Sequence, residues 1–428
     1  MEPFDRRESQ VRSYCRAFPT VFDTARGCTL TDTDGRTYLD LFAGAGALSY
    51  GHNPPALKEA LLAYLQRDGV THALDMHTAA KAHLLEQIED VILTPRGLDH
   101  RVLFPGPTGT NAVETCLKIA RKVTGRELVV AFTNGFHGMT LGSLAITGSQ
   151  HKRGGAGVPL SHTRVMPFDG YLGDDVDTID VIARYLADGS SGVGPPAAFV
   201  VETVQAEGGV RVASAAWLRR LRALADEVGA LLIVDDIQVG CGRTGPFFSF
   251  DGWDVVPDLI PLSKSLSGYG LPFSLVLVRP EHDVFAPGEH NGTFRGFNPA
   301  MVTAAAALDL WRDDTLQRGT EAKGAHARAR LEQLARTFGG EVRGRGLILG
   351  LELDRPGAAR AVSAACFRRG VIVETAGAQD EVLKLLPPLV ISREELDHGL
   401  DVIAEACAEV FAAPRAVSPQ GTGSEVAP

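Results

Sequence analysis

Between about residues 100 and 280 the chain alternates short, unbroken apolar runs with longer segments of helical period. The runs RVLF, ELVVAF, AAFVV, ALLIV and DLIPL are continuous rather than alternating, which predicts strands buried on both faces. Between them, TNAVETCLKIARKV sets Val113, Leu117 and Ala120 on one helical face. SAAWLRRLRALADEV does the same with Leu218, Leu221, Ala225 and Val228 before Gly229 stops it. Strand–helix alternation of this kind predicts an α/β fold with a mostly parallel sheet covered on both sides. Sheets of that type bind ligands at the carboxyl ends of their strands. Gly109, Phe136, Glu202, Asp235 and Lys264 closely follow the apolar runs and are the first candidates for a site.

After about residue 300 the pattern changes. The alanine-rich stretch MVTAAAALDLW leads into a second α/β segment containing VRGRGLILGLEL and GVIVETAG. The expected organisation is a large domain over residues 56–309 and a smaller one built from residues 1–55 and 310–412. The last stretch, 413–428 (APRAVSPQGTGSEVAP), is expected to be a disordered tail. A chain of 428 residues is long enough for such a division.

The formal charge of −10 argues against nucleic acid or an anionic membrane as partner. Six scattered cysteines without a CxxC pair argue against a disulfide framework or a zinc site and fit a reduced, cytoplasmic setting. No apolar run reaches the ~18 residues of a membrane span, and the N-terminus lacks the apolar core of a signal peptide. There is no HExxH, and His72, His77 and His83 lack supporting ligands, so no metal site is expected. The absence of GxSxG disfavours a serine hydrolase.

Lysine usage changes this picture. Of 42 basic residues only eight are lysines, and Lys264 is the only one between Lys152 and Lys323. An ammonium kept at the mouth of a strand, in PDLIPLSKSLSGYGLP, points to amine chemistry that a guanidinium cannot perform. Burial there would depress its pKa and favour the neutral nucleophile. In LLIVDDIQVGCGRTG an apolar strand runs into Asp235 and Asp236, and only one of the two can face a given ligand. VLFPGPTGTNAVE reads either as a structural turn capped by Thr110 or as an anion-binding nest at Gly109 and Thr110. FTNGFHGMT offers Phe136 for stacking and His137 beside it, against the plainer reading of a buried aromatic. FVVETVQAEGG supplies Glu202 and Glu207, which could equally just solvate a loop.

Taken together, the strings FPGPTGTNAVE, FTNGFHGMTLG, DDIQVGCGRTG, LSKSLSGYGLP, PGEHNGTFRG and LKLLPPL resemble the class III (ω-amino acid) pyridoxal-phosphate aminotransferases of fold type I. The resemblance runs from about residue 10 to 412, and it is nearest to the branch that forms 2,4-diaminobutyrate at the start of ectoine biosynthesis. It implies pyridoxal 5'-phosphate as cofactor, with Lys264 as its covalent lysine and proton carrier, and Asp235 paired with the ring nitrogen. It further implies Gln238 at the phenolic oxygen, Phe136 stacked on the ring, and His137 and Glu202 among the cofactor contacts. Gly109 and Thr110 would hold the phosphate, and Thr293 would reach that phosphate from a partner subunit, so a homodimer or dimer-based assembly is implied.

The resemblance also assigns small-molecule substrates, glutamate and an amino aldehyde (aspartate 4-semialdehyde). Lys384 stands where the class usually has an arginine that grips the donor's α-carboxylate, and Glu207 would neutralise it and swing aside for glutamate. Ala206, Val239 and Phe297 depart from the branch's pattern, which leaves another amino aldehyde or diamine as an alternative substrate.

Overall fold

The computed structural model describes residues 2–412; the expected tail, 413–428, lies outside the described residues. Strands in chain order are β1 Phe22–Arg26, β2 Thr29–Asp32, β3 Thr37–Asp40, β4 Arg101–Leu103, β5 Val129–Phe132, β6 Thr163–Met166, β7 Ala198–Val201, β8 Val204–Gln205 and β9 Arg211–Val212. They continue with β10 Leu231–Val234, β11 Leu259–Leu262, β12 Leu275–Val278, β13 Gly340–Arg345, β14 Ile348–Leu353, β15 Val371–Ile372, β16 Glu374–Ala376 and β17 Val382–Leu385.

Seven of these form one sheet in the order β4-β12-β11-β10-β7-β5-β6. The pairs β5–β6, β5–β7, β7–β10 and β10–β11 are parallel, while β12 runs antiparallel to both β11 and β4. Strands β5, β7, β10, β11 and β12 are buried at every position, as unbroken apolar runs require when helices cover both faces. Alternate residues feed two cores. Phe132, Phe199, Val201, Leu232 and Val234 pack on one side, and Val129, Ala131, Val200 and Ile233 on the other. The predicted helices form at Gly109–Thr124 and Ala215–Val228, and Gly229 ends the second in the left-handed conformation.

Two strands of this sheet lie outside the expected set. TRVM (β6) is an edge strand whose two middle residues face solvent, so it has no continuous apolar run. LVLV (β12) follows β11 without an intervening long helix, so the alternation that marks its neighbours is absent.

The two ends of the chain meet: β1, β2 and β3 continue into β15, which is parallel to β3. Strands β13, β14, β17 and β16 form a further antiparallel sheet. Its alternation is sharp. Leu349, Leu351, Val373, Leu383 and Leu385 point into a core with the helices Thr315–Phe338, Ala358–Arg368 and Arg393–Ala412. Ile348, Ala376, Val382 and Leu386 point the other way, against Val204, Ala206, Val210 and Val239. That second face lies beside the carboxyl ends of the large sheet.

Two glycines in the helix Thr315–Phe338 separate packing from propensity. A Cβ on Gly324 would come within 2.2 Å of the Gly346 carbonyl oxygen, whereas one on Gly319 meets nothing within 4 Å. Gly319→Ala should therefore stabilise the protein by up to ~1 kcal/mol through helix propensity. Gly324→Ala should lower the melting temperature clearly, and thermal denaturation of the pair checks both signs.

Candidate active site

Ten residues from five strand ends converge on a cavity of about 160 Å³: Gly109, Thr110, Phe136, His137, Gly138, Glu202, Asp235, Ile237, Gln238 and Lys264. Eight of them are sequence-derived candidates, and Gly138 and Ile237 are additions. The parallel strands explain the convergence, because each delivers its following residue to the same edge of the sheet.

Lys264 opens a short turn immediately after β11 and takes a left-handed backbone, φ 51°. That conformation costs a non-glycine residue ~1–3 kcal/mol and persists only where neighbours enforce it. The flanking serines do so. Ser263 donates its hydroxyl to the Phe273 carbonyl at 2.8 Å, and Ser265 donates to the Gly46 carbonyl at 2.6 Å. Burial lowers the pKa of the Lys264 amine; Glu207 opposes this and Lys384 adds to it. The side chain is thus biased toward the nucleophilic form.

Asp235 follows β10 and is almost wholly buried. One carboxylate oxygen lies 2.7 Å from His137 Nδ1, and the other accepts the Ile237 N–H at 3.2 Å. Burial would lower the pKa of His137, but the bond to Asp235 outweighs it and the imidazole is shifted upward. Its neighbour Asp236 turns away, accepting the Ser249 N–H at 3.1 Å and the Ser249 hydroxyl, and burial pushes its carboxyl up to about 7. Asp235 is therefore the one aspartate of the pair that reaches the cavity. Glu202, also buried, accepts the Phe136 N–H at 2.9 Å, and burial raises its carboxyl.

At the opposite end the helix Gly109–Thr124 presents its first turn. The cap differs from expectation: Thr108, tied to Asn111 Oδ1 at 2.7 Å, caps the helix. Thr110 is left free of that duty, its hydroxyl 2.7 Å from both Thr140 Oγ1 and Ser143 Oγ. Close approach needs the glycines. A Cβ on Gly109 would lie 3.0 Å from Ile237, and one on Gly138 (φ 130°) only 2.6 Å from Thr110 Oγ1.

Gln238 spends both amide hydrogens, one on the Ala45 carbonyl at 2.8 Å and one on Glu207 Oε1 at 3.2 Å. The glycine-rich segment GAGA, Gly44–Ala47, thus supplies a carbonyl to the edge of the site. Glu207 and Lys384 do not line the cavity but adjoin it through Gln238. Lys384 Nζ, wholly buried, lies 2.7 Å from Glu207 Oε1 and 3.1 Å from Glu374 Oε1. Glu374 was not foreseen. Burial would lower the pKa of Lys384, but the two carboxylates raise it. Burial alone would raise Glu207, yet Lys384 and Lys264 hold it at about 2.

Thr293 is exposed and does not line the cavity of its own chain. Ala206 and Val239 are buried beneath the Glu207–Lys384 pair rather than in the cavity, and Phe297 packs against the main core.

The donor set suits pyridoxal phosphate. Helix-end amides and the Thr110 hydroxyl beside Gly109 match an anion, Phe136 matches a flat ring, Asp235 matches a protonated ring nitrogen, and Lys264 matches an aldehyde. Among the described residues no cluster of three or more side chains could hold a metal ion, and no helix is long and apolar enough to cross a membrane.

Comparison with known proteins agrees with this chemistry. The family model described as aminotransferase class-III matches residues 12–407. A diaminobutyrate–2-oxoglutarate transaminase of Nocardia farcinica is 56% identical over 405 residues, covering 94% of this chain and 93% of the relative. One of the same name from Streptomyces anulatus is 57% identical over 408 residues, covering 95% and 97%. The crystal structure of ornithine aminotransferase from Toxoplasma gondii ME49 superposes with a TM-score of 0.83 at 28% identity, covering 96% of this chain and 94% of that one. The chain belongs to the class III aminotransferases and is a pyridoxal-phosphate-dependent transaminase of fold type I.

Proposed function

We propose that this enzyme transfers an amino group from L-glutamate to L-aspartate 4-semialdehyde, yielding 2-oxoglutarate and L-2,4-diaminobutyrate. The observation that carries this reading is the pair of buried Lys384 with Glu207 beside the cavity, joined to 56–57% identity over nearly the full chain with diaminobutyrate–2-oxoglutarate transaminases. The two amines transferred differ in their surroundings. Glutamate reacts through an amine next to a carboxylate, whereas diaminobutyrate reacts through a terminal one. A single site must accept a carboxylate near its reacting carbon in one half of the cycle and none in the other. A lysine with a detachable carboxylate partner meets both demands: paired with Glu207 it is closed to a further carboxylate, and released it offers its ammonium to the donor's carboxylate. Lysine offers a point charge rather than a fork, so it holds the donor's carboxylate with less orientational constraint than arginine.

When bound, pyridoxal phosphate supplies an electron-withdrawing ring that stabilises negative charge on the substrate carbon. Asp235, oriented by His137, holds a proton at the ring nitrogen. Lys264, its amine made less basic by burial, accepts and returns the proton of the substrate carbon. Phe136 would pack against the ring, and Gly109 and Thr110 would hold the phosphate. Glu202, whose carboxyl is raised by burial, lines the same cavity as His137 and would be among the residues that hold the cofactor. Thr293 completes the phosphate site of a neighbouring subunit, so the working unit is a homodimer or an assembly of dimers. The product and the acidic, cysteine-poor composition fit a cytoplasmic enzyme that opens a route such as ectoine synthesis.

Steady-state turnover with L-glutamate and aspartate 4-semialdehyde, followed by 2-oxoglutarate release, tests the reaction. Equal or greater turnover with another amino aldehyde, or evolution of carbon dioxide, would replace it. Lys384→Met should slow conversion of the enzyme by glutamate by ~100-fold while sparing the reaction with diaminobutyrate relatively. An unchanged glutamate rate would remove Lys384 from its assigned role. Thr293→Val should weaken cofactor retention about fivefold, the loss of one ~1 kcal/mol hydrogen bond. Spectrophotometric titration measures this, and sedimentation should find dimers or their multiples.

A further inference from the structure

Lys384 has two carboxylates against it, and only one is free to leave. Glu207 sits in the turn between β8 and β9, and its side chain is 20% exposed. Glu374 is different. It lies directly opposite Lys384 in the β16–β17 ladder, on the same face of the sheet, and is 6% exposed. That ladder fixes its backbone opposite Lys384, and its burial leaves the side chain little room to turn away. Its Oε1, 3.1 Å from Lys384 Nζ, makes no hydrogen bond to any described residue. The Lys384 ammonium is thus the main group that offsets the burial of this carboxylate.

We propose that Glu374 is the standing counter-ion of Lys384, keeping that buried ammonium compensated whenever Glu207 turns away and so letting Glu207 act as a detachable partner. The proposal rests on the reading that Lys384 receives the carboxylate of the amino donor. A buried pair that loses its only partner leaves an uncompensated charge, which is strongly unfavourable. With Glu374 in place the open arrangement remains a neutral pair, and the barrier to admitting glutamate falls. The incoming carboxylate replaces Glu207 like for like, so the effect falls on the rate of exchange more than on final affinity. Glu374 touches neither cavity nor substrate; it is a positioning residue.

The charged and titratable groups that bear on Glu374 are Lys384 from β17, Glu207 from the hairpin turn, Lys264 from the loop after β11 and Tyr14 near the N-terminus. The helix Ala358–Arg368 covers the opposite face of the sheet with small and apolar side chains and the Cys366 thiol. Burial raises Cys366 to about 12, partial burial and the Glu374 and Glu207 carboxylates raise Tyr14, and both stay neutral around pH 7. Burial pushes the Glu374 carboxyl up to about 7, against the pull of Lys384 and with a contribution from Glu207. The sign follows directly. Above that value Glu374 is ionised and can compensate Lys384; below it the carboxyl is neutral and cannot. Admission of glutamate should therefore slow as the pH falls through neutrality. Glu202 is raised as well, but it bears on both halves of the cycle and cancels in their ratio.

The test uses the holoenzyme in single-turnover stopped flow, reading the absorbance change of the bound cofactor at low donor concentration on either side of neutral pH. The quantity compared is the ratio of second-order rate constants for L-glutamate and L-2,4-diaminobutyrate. In the parent enzyme this ratio should fall with falling pH. In Glu374→Gln it should be at least ~10-fold lower at alkaline pH and independent of pH. Glu374→Asp, which keeps the charge, should restore the pH dependence. A flat ratio in the parent, or a Gln variant matching the parent's ratio and slope, overturns the proposal. If the Gln variant does not fold, the parent and Asp profiles decide alone. An unaltered glutamate rate in Lys384→Met would instead locate the failure in the reading of Lys384 itself.

Discussion

The hydrogen bond between His137 and Asp235 is the constraint on which the site depends. A carboxylate at the end of a buried strand has lost most of its hydration, and an unpaired charge there would be expelled or neutralised. The imidazole at 2.7 Å compensates one oxygen, and the Ile237 amide engages the other. The carboxylate is thereby fixed in the same cavity as the Lys264 amine. The neighbouring Asp236 illustrates the alternative. Directed into the protein against Ser249, it is shifted toward neutrality and reaches no ligand. Two adjacent aspartates thus have different fates, set by the alternation of side chains along an extended chain.

The same logic of paired burial recurs at the second charged cluster. Lys384 is wholly enclosed, yet its ammonium is stabilised because two carboxylates approach within 3.1 Å. The sheet that carries Lys384 and Glu374 directs its leucines toward its own helices and its charges toward the large sheet. The Lys384–Glu374 pair therefore belongs to one sheet, and Lys264 and Asp235 to the strand ends of another. Gln238 links them through Glu207 and the Ala45 carbonyl.

Much of this was legible in the sequence, for identifiable reasons. Strands β5, β7, β10 and β11 have unbroken apolar runs, and the few residues after each one are where parallel topology puts chemistry. The scarcity of lysine in an arginine-rich chain singled out Lys264. What stayed hidden depended on partners distant in sequence. Glu374 reads as one polar residue in GVIVETAG, and its meaning comes from ladder register with Lys384. The contribution of the GAGA segment comes from a backbone carbonyl, which no residue type announces. Thr108 and Thr110 are equally good caps on paper, and only the position of Asn111 decides between them.

The central claim is that the buried amine of Lys264 carries pyridoxal phosphate. Borohydride reduction of the holoenzyme followed by peptide mapping tests it most directly. The account predicts that the visible absorbance of the bound cofactor is lost and that one pyridoxyl group is found on the peptide containing Lys264. Protein that takes up no cofactor, or a label found on any other lysine, would contradict it.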